Sequence, residues 1–235
     1  MMQIPINHCP VCDRDVAEWN PFVRLIGDGK YRHEPGGRLC PHCDSFERTR
    51  HFWLYVQKKG LLDSKPRFLH VAPERGLKER LRAVLADSYV TTDMAQPDVD
   101  VQADLTALPL ADASFDFIYC SNVLEHVPND RAAMTELRRV LSLGGTAYIQ
   151  VPAQGETTLE DLTITDPVER ARRYGQADHV RQYGRDISER LTKAGFEVQE
   201  TIMPDTLHMP LSELKTFNCE RRERIYLCFA RASGI

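Results

Sequence analysis

The sequence has no long apolar run, no secretory leader pattern and no excess of positive charge. No stretch reaches the roughly 18 apolar residues that span a bilayer, so we expect no membrane-spanning helix and no membrane partner. The first residues lack a basic start followed by an apolar segment, so we expect no secretory signal. The 235 residues carry 30 Lys and Arg against 34 Asp and Glu, which argues against polyanion binding by the whole chain.

A disulfide framework is not indicated either, although the chain contains seven cysteines. An odd number without a leader is typical of a reducing compartment, so we predict a cytoplasmic protein whose thiols bind metal or react. Four of the cysteines form two C-x2-C pairs, namely Cys9 with Cys12 and Cys40 with Cys43. This spacing predicts a structural zinc ribbon, because four thiolates fill a tetrahedral coordination shell and leave no open position.

Redox chemistry is the alternative for these pairs, since the tetrapeptide CPHC also occurs in thiol oxidoreductases of the thioredoxin class. That reading needs one pair at the start of a helix within a βαβ unit, whereas both pairs here precede the first such unit. Cys120 and Cys228 fall in predicted strands and are expected to be buried apolar residues. Cys219 lies in a polar turn without a functional indication.

The sequence predicts three parts in the chain. We predict a zinc-ribbon module over 1–45, a linking amphipathic helix over 46–65 and one larger domain over 66–235. Residues 1–66 carry 10 Lys and Arg against 8 Asp and Glu, whereas the remainder carries 20 against 26. In the larger domain, apolar strands alternate with helical patterns, which predicts an α/β fold with a doubly wound, mostly parallel sheet.

Ligands of such sheets bind beyond the carboxyl ends of the strands, so the residues after each strand are the candidate site. The first strand is followed by a loop that contains His70, Ala72, Glu74 and Gly76. The candidates after the next three strands are Asp93, then Asp104 with Leu105, then Ser121 with Asn122. A carboxylate can accept ribose hydroxyls or an adenine amino proton, and amides at a helix start can meet an anion.

The segment from Ala103 to Pro152 resembles class I S-adenosylmethionine-dependent methyltransferases, through D-x-x-x-L-P-x-x-D-x-S-F-D, then L-E-H-V, then R-V-L-x-x-G-G. A bacterial subgroup with an N-terminal zinc ribbon and the block at 178–184 is the most similar. The resemblance implies a seven-stranded Rossmann-like sheet with an antiparallel last strand. It also implies that S-adenosylmethionine is the cofactor, with ribose on Asp93, adenine at Asp104 and Leu105, and methionine near Ser121 and Asn122.

The first loop departs from the acidic-x-G-x-G-x-G pattern of this family, because only Gly76 remains of its glycines. Glycines there let the backbone approach the cofactor, and Ala72 is a small change. Glu74 places a carboxylate where the methionine group is expected. Either Glu74 pairs with the cofactor ammonium, or the site does not accept the cofactor and the chain is a binding protein.

Methyl transfer requires alignment of the acceptor and sometimes a base. His126 follows the fourth strand and His179 lies in the insertion 153–183, so both are candidate catalytic residues, although each could instead order its own turn. The insertion is long, polar and rich in arginine, and we expect it to cover a substrate with Arg181 and Tyr183. A solvated helix starting at Pro167 is the simpler explanation of the same segment.

Three functions follow from these observations. The favoured one is methylation of a small molecule, with the zinc ribbon as a lid or a dimer element. The second is methylation of RNA gripped by the ribbon, although a net charge of only +2 over residues 1–66 is low for an RNA-binding module. The third is a non-catalytic binding protein, and the oligomeric state is left open.

Overall fold

The computed structural model describes residues 7–25, 28–33 and 36–230. Before the first long helix, the chain forms two short antiparallel hairpins, the first around Cys9 and Cys12 and the second before Cys40 and Cys43. Their strands are β1 (Asn7–Cys9), β2 (Arg14–Val16), β3 (Val23–Leu25) and β4 (Tyr31–His33). Residues 1–6, 26–27 and 34–35 of the predicted zinc-ribbon module lie outside the described part of the chain, as do 231–235 of the larger domain.

A seven-stranded sheet forms the centre of the molecule. Its strands are β5 (Phe68–Val71), β6 (Tyr89–Asp93), β7 (Val101–Gln102), β8 (Phe115–Ser121), β9 (Leu141–Gln150), β12 (Glu197–Ile202) and β13 (Arg224–Phe229). Their order across the sheet is β12-β13-β9-β8-β5-β6-β7. The last strand, β13, is antiparallel to both of its neighbours, which confirms the predicted reversed hairpin.

Helices cover both faces of this sheet. They are α1 (Glu47–Lys58), α2 (Arg75–Leu85), α3 (Asp130–Val140), α4 (Pro167–Tyr174), α5 (Ile187–Lys193) and α6 (Leu211–Thr216). Leucines at helical spacing place α2 on one face, and Ala133, Met134 and Leu137 place α3 on the other. The fold class is therefore confirmed as doubly wound and mostly parallel, with a small N-terminal cysteine module that fits a zinc ribbon.

Helix α1 is part of the core. The ring of Phe52 stacks on Tyr119 of β8 at 3.8 Å and meets Tyr148 of β9 edge-on at 4.9 Å. His51 on the same helix bonds to the Tyr148 hydroxyl at 3.1 Å. Truncation of a buried ring such as Phe52 costs about 3–5 kcal/mol, so this helix is anchored to the sheet. The division of the chain at residues 45 and 65 stays a prediction.

The insertion between β9 and α5 contains its own small structure. Strands β10 (Leu159–Glu160) and β11 (Arg181–Gln182) pair in antiparallel fashion, and α4 lies between them in the sequence. Asp166 caps α4 by accepting a hydrogen bond from the Glu169 amide, and Gly175 ends it with φ of 89°. The helix expected at Pro167 is therefore present. Within the part of the chain that the structure describes, no helix is long and apolar enough to cross a membrane.

Candidate functional site

The four paired cysteines converge at one point of the N-terminal module. Their sulfur atoms all lie within 4.8 Å of one another, with 3.7 Å between Cys9 and Cys43 and 3.8 Å between Cys12 and Cys40. Bonds of 2.3 Å to a tetrahedral zinc ion would separate the sulfurs by about 3.8 Å, so this spacing fits the ion. Burial and the neighbouring Cys9 raise the pKa of Cys12 to about 12. A cation is therefore needed before all four groups can be thiolates.

Each cysteine pair is closed by a residue in the left-handed backbone region. Asp13 and Asp44 follow the two pairs with φ of 57° and 59°, and their amides donate to the carbonyls of Cys9 and Cys40. The two turns are therefore alike. Gly76 at the start of α2 lies against the second turn, and a Cβ there would come within 2.7 Å of Cys43. The structure thus places this candidate cofactor glycine at a packing contact with the cysteine module.

A first cavity, called here the strand-end cavity, opens beyond the carboxyl ends of β5, β6 and β7 and has a volume of about 220 Å³. Five of the candidate residues line it, namely Ala72, Asp93, Asp104, Leu105 and His126. Asp93 accepts hydrogen bonds from the amides of Ala95 and Gln96 at 2.7 and 2.8 Å. Leu105 is buried and provides an apolar wall. The residues that directly follow β5, β6 and β7 therefore meet in one place, as the parallel sheet predicts.

Two residues of this cavity have a distinctive local structure: Ala72 in its backbone and Asp104 in its hydrogen bonds. Ala72 has φ of 51°, a conformation that glycine adopts without strain and alanine does not. Asp104 accepts two hydrogen bonds from Thr106 at 2.8 Å, which lower the pKa of its carboxyl and keep it ionised. Both bonds reach the same oxygen, Oδ1.

His70 and Glu74 are bonded to each other and do not line the cavity. The buried His70 ring contacts the Tyr89 hydroxyl at 2.7 Å through Nδ1 and the Glu74 carboxylate at 3.1 Å through Nε2. Thr49 of α1 donates to Glu74, and the Arg48 guanidinium lies 3.9 Å from it. Burial opposes ionisation of Glu74, but the His70 bond and the charge of Arg48 hold its pKa below the usual value. The carboxylate is thus engaged within the protein.

A second cavity, called here the insertion cavity, has a volume of about 360 Å³. Its walls come from the cysteine module, the start of α1, the turn after β8, the 153–183 insertion and the segment before β13. Its lining includes four arginines, three aromatic residues and two carboxylates: Arg24, Arg38, Arg48, Arg221, Phe22, Phe46, Tyr174, Asp178 and Glu223. Positive charge and rings dominate this space. The sequence does not reveal this lining, because its residues lie far apart along the chain.

The candidates after β8 divide between the core and this cavity. Asn122 lines the insertion cavity in the left-handed region with φ of 54°. Ser121 is buried, and its hydroxyl lies 3.3 Å from both Gln150 Oε1 and Asn122 Oδ1. The Ser121 hydroxyl therefore helps to orient the Asn122 side chain through the bond to its Oδ1.

His126 is shared by the two cavities. Its ring lies edge-on to His179, with 4.8 Å between centroids, and its Nδ1 lies 3.4 Å from the Asp178 carboxylate. His179 is buried, and burial together with the neighbouring His126 lowers its pKa to about 4. The structure therefore brings the two candidate catalytic histidines together, although 53 positions separate them in the sequence.

Glu125, the residue before His126, was not among the sequence candidates. It is fully buried, and neither carboxylate oxygen has a hydrogen-bond partner among the described residues. Burial raises its pKa to about 8. The signal in the sequence is a charged residue next to a candidate histidine in L-E-H-V, but only the fold reveals its burial.

Arg181 and Tyr183, the predicted substrate residues, are buried and line neither cavity. The Arg181 guanidinium donates to the carbonyls of Leu124, Val127 and Pro128, and it pairs with Glu160. The Tyr183 hydroxyl donates to Asp130 at 2.7 Å. These contacts fix the turn that carries Glu125 and His126, so both residues act on that turn and not on the cavities directly.

Comparison with known proteins agrees with this geometry. Residues 61–149 match the family described as methyltransferase domain, Methyltransf_11. The chain is 35% identical over 117 residues to an uncharacterized 37.1 kDa protein in transposon TN4556 of Streptomyces fradiae, covering 47% of this chain and 32% of the relative. It is 31% identical over 108 residues to a probable S-adenosylmethionine-dependent methyltransferase of Mycolicibacterium smegmatis, covering 45% and 38%. The chain thus spans about a third of the length of these curated relatives.

Solved structures share the fold at low identity. The 1,6-didemethyltoxoflavin-N1-methyltransferase of Burkholderia thailandensis, with S-adenosylhomocysteine bound, has a TM-score of 0.50 and 13% identity over 76% of this chain and 79% of its own. The cyclase SpnF also has a TM-score of 0.50, with 15% identity over 84% and 90%. At such identity these neighbours establish the fold alone. Residues 61–149 are thus similar to the methyltransferase-domain family, and the seven-stranded sheet is the fold that these solved structures share.

Proposed function

We propose that this chain transfers a methyl group from S-adenosylmethionine to a small anionic or aromatic molecule. The observation that carries this proposal is the arrangement of the two cavities, which adjoin at His126. One cavity holds the residues expected to bind an adenosyl group, and the other is lined by cations and rings. A donor and an acceptor bound in these adjoining cavities would meet beside His126, which is the direct contact that methyl transfer requires.

The strand-end cavity would hold the adenosyl part of the cofactor. Asp93 would accept the ribose hydroxyls, while Asp104 and Leu105 would contact the adenine edge and face. S-Adenosylmethionine would supply an electrophilic methyl group on a sulfonium sulfur. Asn122 and the buried Ser121 would lie on the methionine side, since they follow β8 at the same edge of the sheet.

The altered first loop is compatible with cofactor binding. Ala72 keeps the left-handed backbone that a glycine would provide, so the loop path is preserved. The His70 ring holds the Glu74 carboxylate at 3.1 Å and the Arg48 guanidinium lies 3.9 Å from it, so Glu74 is engaged within the protein and not free to face the methionine carboxylate. We infer that cofactor binding survives and that the chain is an enzyme and not a degenerate binding protein.

The lining of the insertion cavity supports a small, anionic or planar acceptor. Four arginines outnumber the two carboxylates, and Phe22, Phe46 and Tyr174 offer ring faces. The cysteine module and the insertion enclose the space together, because Arg24 donates to the Gly175 carbonyl across it. An enclosed cavity of about 360 Å³ suits a small molecule better than an RNA strand. Arg50, one of the basic residues of this region, is buried over Trp19 and does not contribute to a basic surface.

We further propose that His126 and His179 are catalytic residues and act on the acceptor. His126 borders both cavities, and His179 lies behind it in the insertion cavity. The tetrahedral cysteine module would bind structural zinc, which holds the wall formed by Phe22 and Arg24 in place. Seven free thiols suit a reducing compartment, consistent with a cytoplasmic enzyme.

Cofactor binding is tested by calorimetric titration of the whole chain with S-adenosylmethionine and S-adenosylhomocysteine. Asp93→Asn removes the charge but keeps an acceptor for the loop amides, so we expect affinity to fall about tenfold or more. Asp87→Asn, an exposed residue of the turn before β6, should bind as the wild type does. No heat from the wild-type protein at millimolar cofactor would overturn the proposal.

The reaction is tested with methyl-labelled cofactor and separate small-molecule and RNA fractions of a cell extract. We expect label in the small-molecule fraction with wild-type protein, and none with His179→Ala, which should keep its cofactor affinity. His33→Ala, an exposed histidine of β4, is the matched control and should transfer label normally. Label confined to RNA would contradict the small acceptor, and undiminished transfer by His179→Ala would reject the role of this histidine.

A further inference from the structure

Three side chains with metal-binding atoms meet where the two cavities adjoin. Glu125, His126 and His179 each offer one ligand atom, and these atoms all lie within 4.8 Å of one another. Glu125 and His179 are 0% and 2% exposed, while His126 reaches both cavities. The cluster is separate from the four cysteines and belongs to the turn after β8 and the insertion.

The hydrogen bonds of His179 leave its Nε2 without a donor among the described residues. Its Nδ1 lies 3.0 Å from the carbonyl oxygen of Tyr174, which can only accept, so Nδ1 carries the proton. Nε2 is then an acceptor, and it has no partner among the described residues. Both Glu125 oxygens are likewise without a donor in the part of the chain that the structure describes. Buried acceptors that face one another without a donor call for a cation, a shared proton or water.

The surrounding contacts match those that orient metal-binding histidines. Such a histidine usually donates its second ring nitrogen to a backbone carbonyl or a carboxylate. His179 meets this condition through Tyr174, and the Asp178 carboxylate lies 3.4 Å from Nδ1 of His126. Both arrangements leave Nε2 for the ion.

The backbone around the cluster is held rigidly. The Val180 amide donates to the Glu125 carbonyl at 2.9 Å, which ties the insertion to the turn after β8. Arg181 binds the carbonyls of Leu124, Val127 and Pro128 on either side of the cluster. Arg48, the cation nearest in the cavity lining, lies over the Phe46 ring at 4.0 Å and is not a hydrogen-bond partner of Glu125. The positions of Glu125, His126 and His179 are therefore set by the fold before any ion binds.

We propose that Glu125, His126 and His179 bind a divalent transition-metal ion with an open coordination position toward the insertion cavity. Two imidazoles and one carboxylate are a ligand set used by catalytic zinc and by non-haem iron. Metal bonds of 2.0–2.2 Å require ligand atoms about 3.4 Å apart, so ligand atoms that lie within 4.8 Å of one another would have to move closer when the ion binds. Because only three protein ligands are supplied, the ion is not saturated and could take a further oxygen, nitrogen or sulfur ligand.

The role of this ion rests on the proposed function. An acceptor atom bound to the ion would lose its proton more readily, because the metal stabilises the anionic nucleophile. His126 and His179 would then act on the acceptor through the ion and not as free bases. The site itself does not depend on methyl transfer, so the two proposals can fail separately.

Metal binding is tested on the whole chain, with the cysteine site left loaded with zinc. The protein is dialysed against a weak chelator and then titrated with Zn²⁺, and the bound metal is counted by mass spectrometry. We expect wild-type protein to bind one ion more per chain than Glu125→Gln/His179→Gln. His33→Gln, which changes an exposed histidine, should bind as much as the wild type. Equal metal content in the wild type and the double variant would overturn the proposal and leave a shared proton or buried water.

A second measurement needs no variant and keeps the proposal testable if the double variant does not fold. Titration of the zinc-loaded wild-type protein with Co²⁺ should give an absorption band from nitrogen and oxygen ligands without new thiolate charge transfer. A cobalt spectrum with thiolate bands alone would contradict the site. S-Adenosylmethionine titration of the same samples separates the two proposals, because loss of metal binding with intact cofactor binding rejects only this one.

Discussion

The strand-end cavity and the insertion cavity adjoin at His126, but they are assembled in different ways. The first is formed mainly by residues that directly follow strands of the parallel sheet, so its residues are ordered along the chain as the sheet orders them. The second draws Phe22, Arg48, His179 and Glu223 from segments separated by long stretches of sequence. A site formed by residues at strand ends can be predicted from local sequence patterns, whereas a site formed by packing of distant segments cannot.

The largest effect is expected from a substitution in the cysteine module, which should disrupt the insertion cavity and spare the strand-end cavity. Cys40→Ser removes one ligand of the tetrahedral site, and structural zinc contributes on the order of 10 kcal/mol to folding of such modules. We expect loss of bound zinc, disorder of the wall that carries Phe22 and Arg24, and loss of methyl transfer. Cofactor affinity should stay within about threefold of the wild-type value, because the strand-end cavity takes no residue from the module.

Zinc content and calorimetric titration on the same preparations provide the measurement. Cys228→Ala, which changes a buried thiol of β13 away from the module, is the control and should keep its zinc. If Cys40→Ser abolished cofactor binding as completely as transfer, the two cavities would not be independent.

Arg181 offers the next largest effect, because it belongs to the insertion yet supports the turn shared by both cavities. Arg181→Met removes its bonds to three carbonyls and leaves Glu160 to Arg190 alone. Arg181 also lies 3.7 Å from the buried Asp130 carboxylate, and loss of one partner of a buried ion pair costs about 3–5 kcal/mol, so we expect a clear drop in unfolding free energy in urea. Affinity for both cofactor and Zn²⁺ should also fall, although Arg181 lines neither cavity.

The matched control is Arg172→Met, since Arg172 is exposed on α4 and pairs with Glu169 only at the surface. Its effect on stability should be about 1 kcal/mol or less. Equal stability of the two variants would mean that Arg181 does not fix the turn.

The same contrast explains what the sequence could predict. The alternation of strands and helices and the positions of Asp93, Asp104 and Leu105 follow from patterns within short segments, whereas the reversed last strand is an implication of the family resemblance. Leu141 begins β9 directly after α3, and its pairing with Phe115 of β8 extends this strand upstream of Gly144 and Gly145.

Residue type alone could not assign the long-range contacts. Arg181 and Tyr183 look like substrate ligands because they are polar and lie in an insertion, but their partners are carbonyls and a carboxylate from a distant turn. Gly76 matches a cofactor glycine by position, yet it makes room for Cys43. Glu125 became visible as a candidate only once the fold placed it beside two histidines.

Helix α1 contributes a pH dependence to the stability of the chain through its buried His51. Burial lowers the pKa of His51 to about 4 from an ordinary value of 6.5, because the neutral ring is held between Tyr148 and Thr206. The unfolded chain therefore binds a proton that the folded chain excludes, and stability falls as pH drops from about 6.5 to 4, by up to about 3 kcal/mol.

Urea unfolding at a series of pH values measures this dependence. His51→Gln should flatten the slope between pH 6.5 and 4, whereas His33→Gln on the exposed strand β4 should leave it unchanged. An unaltered slope in His51→Gln would assign the acid sensitivity to other groups.

The smallest expected effect concerns the strand-end cavity alone and addresses how its first loop departs from the family pattern. Ala72 adopts φ of 51°, where the left-handed backbone of a residue with a Cβ costs about 1 kcal/mol relative to glycine. Ala72→Gly should therefore stabilise the chain by up to that amount, reduced by the greater entropy of glycine in the unfolded state. Ala83→Gly, at an exposed position inside α2, should destabilise by a similar amount because its backbone is helical.

Cofactor affinity of Ala72→Gly should equal or exceed that of the wild type, since the loop path is already that of a glycine. A weaker affinity would mean that the Ala72 methyl group contacts the cofactor, so that the departure from the family pattern contributes to binding at this cavity.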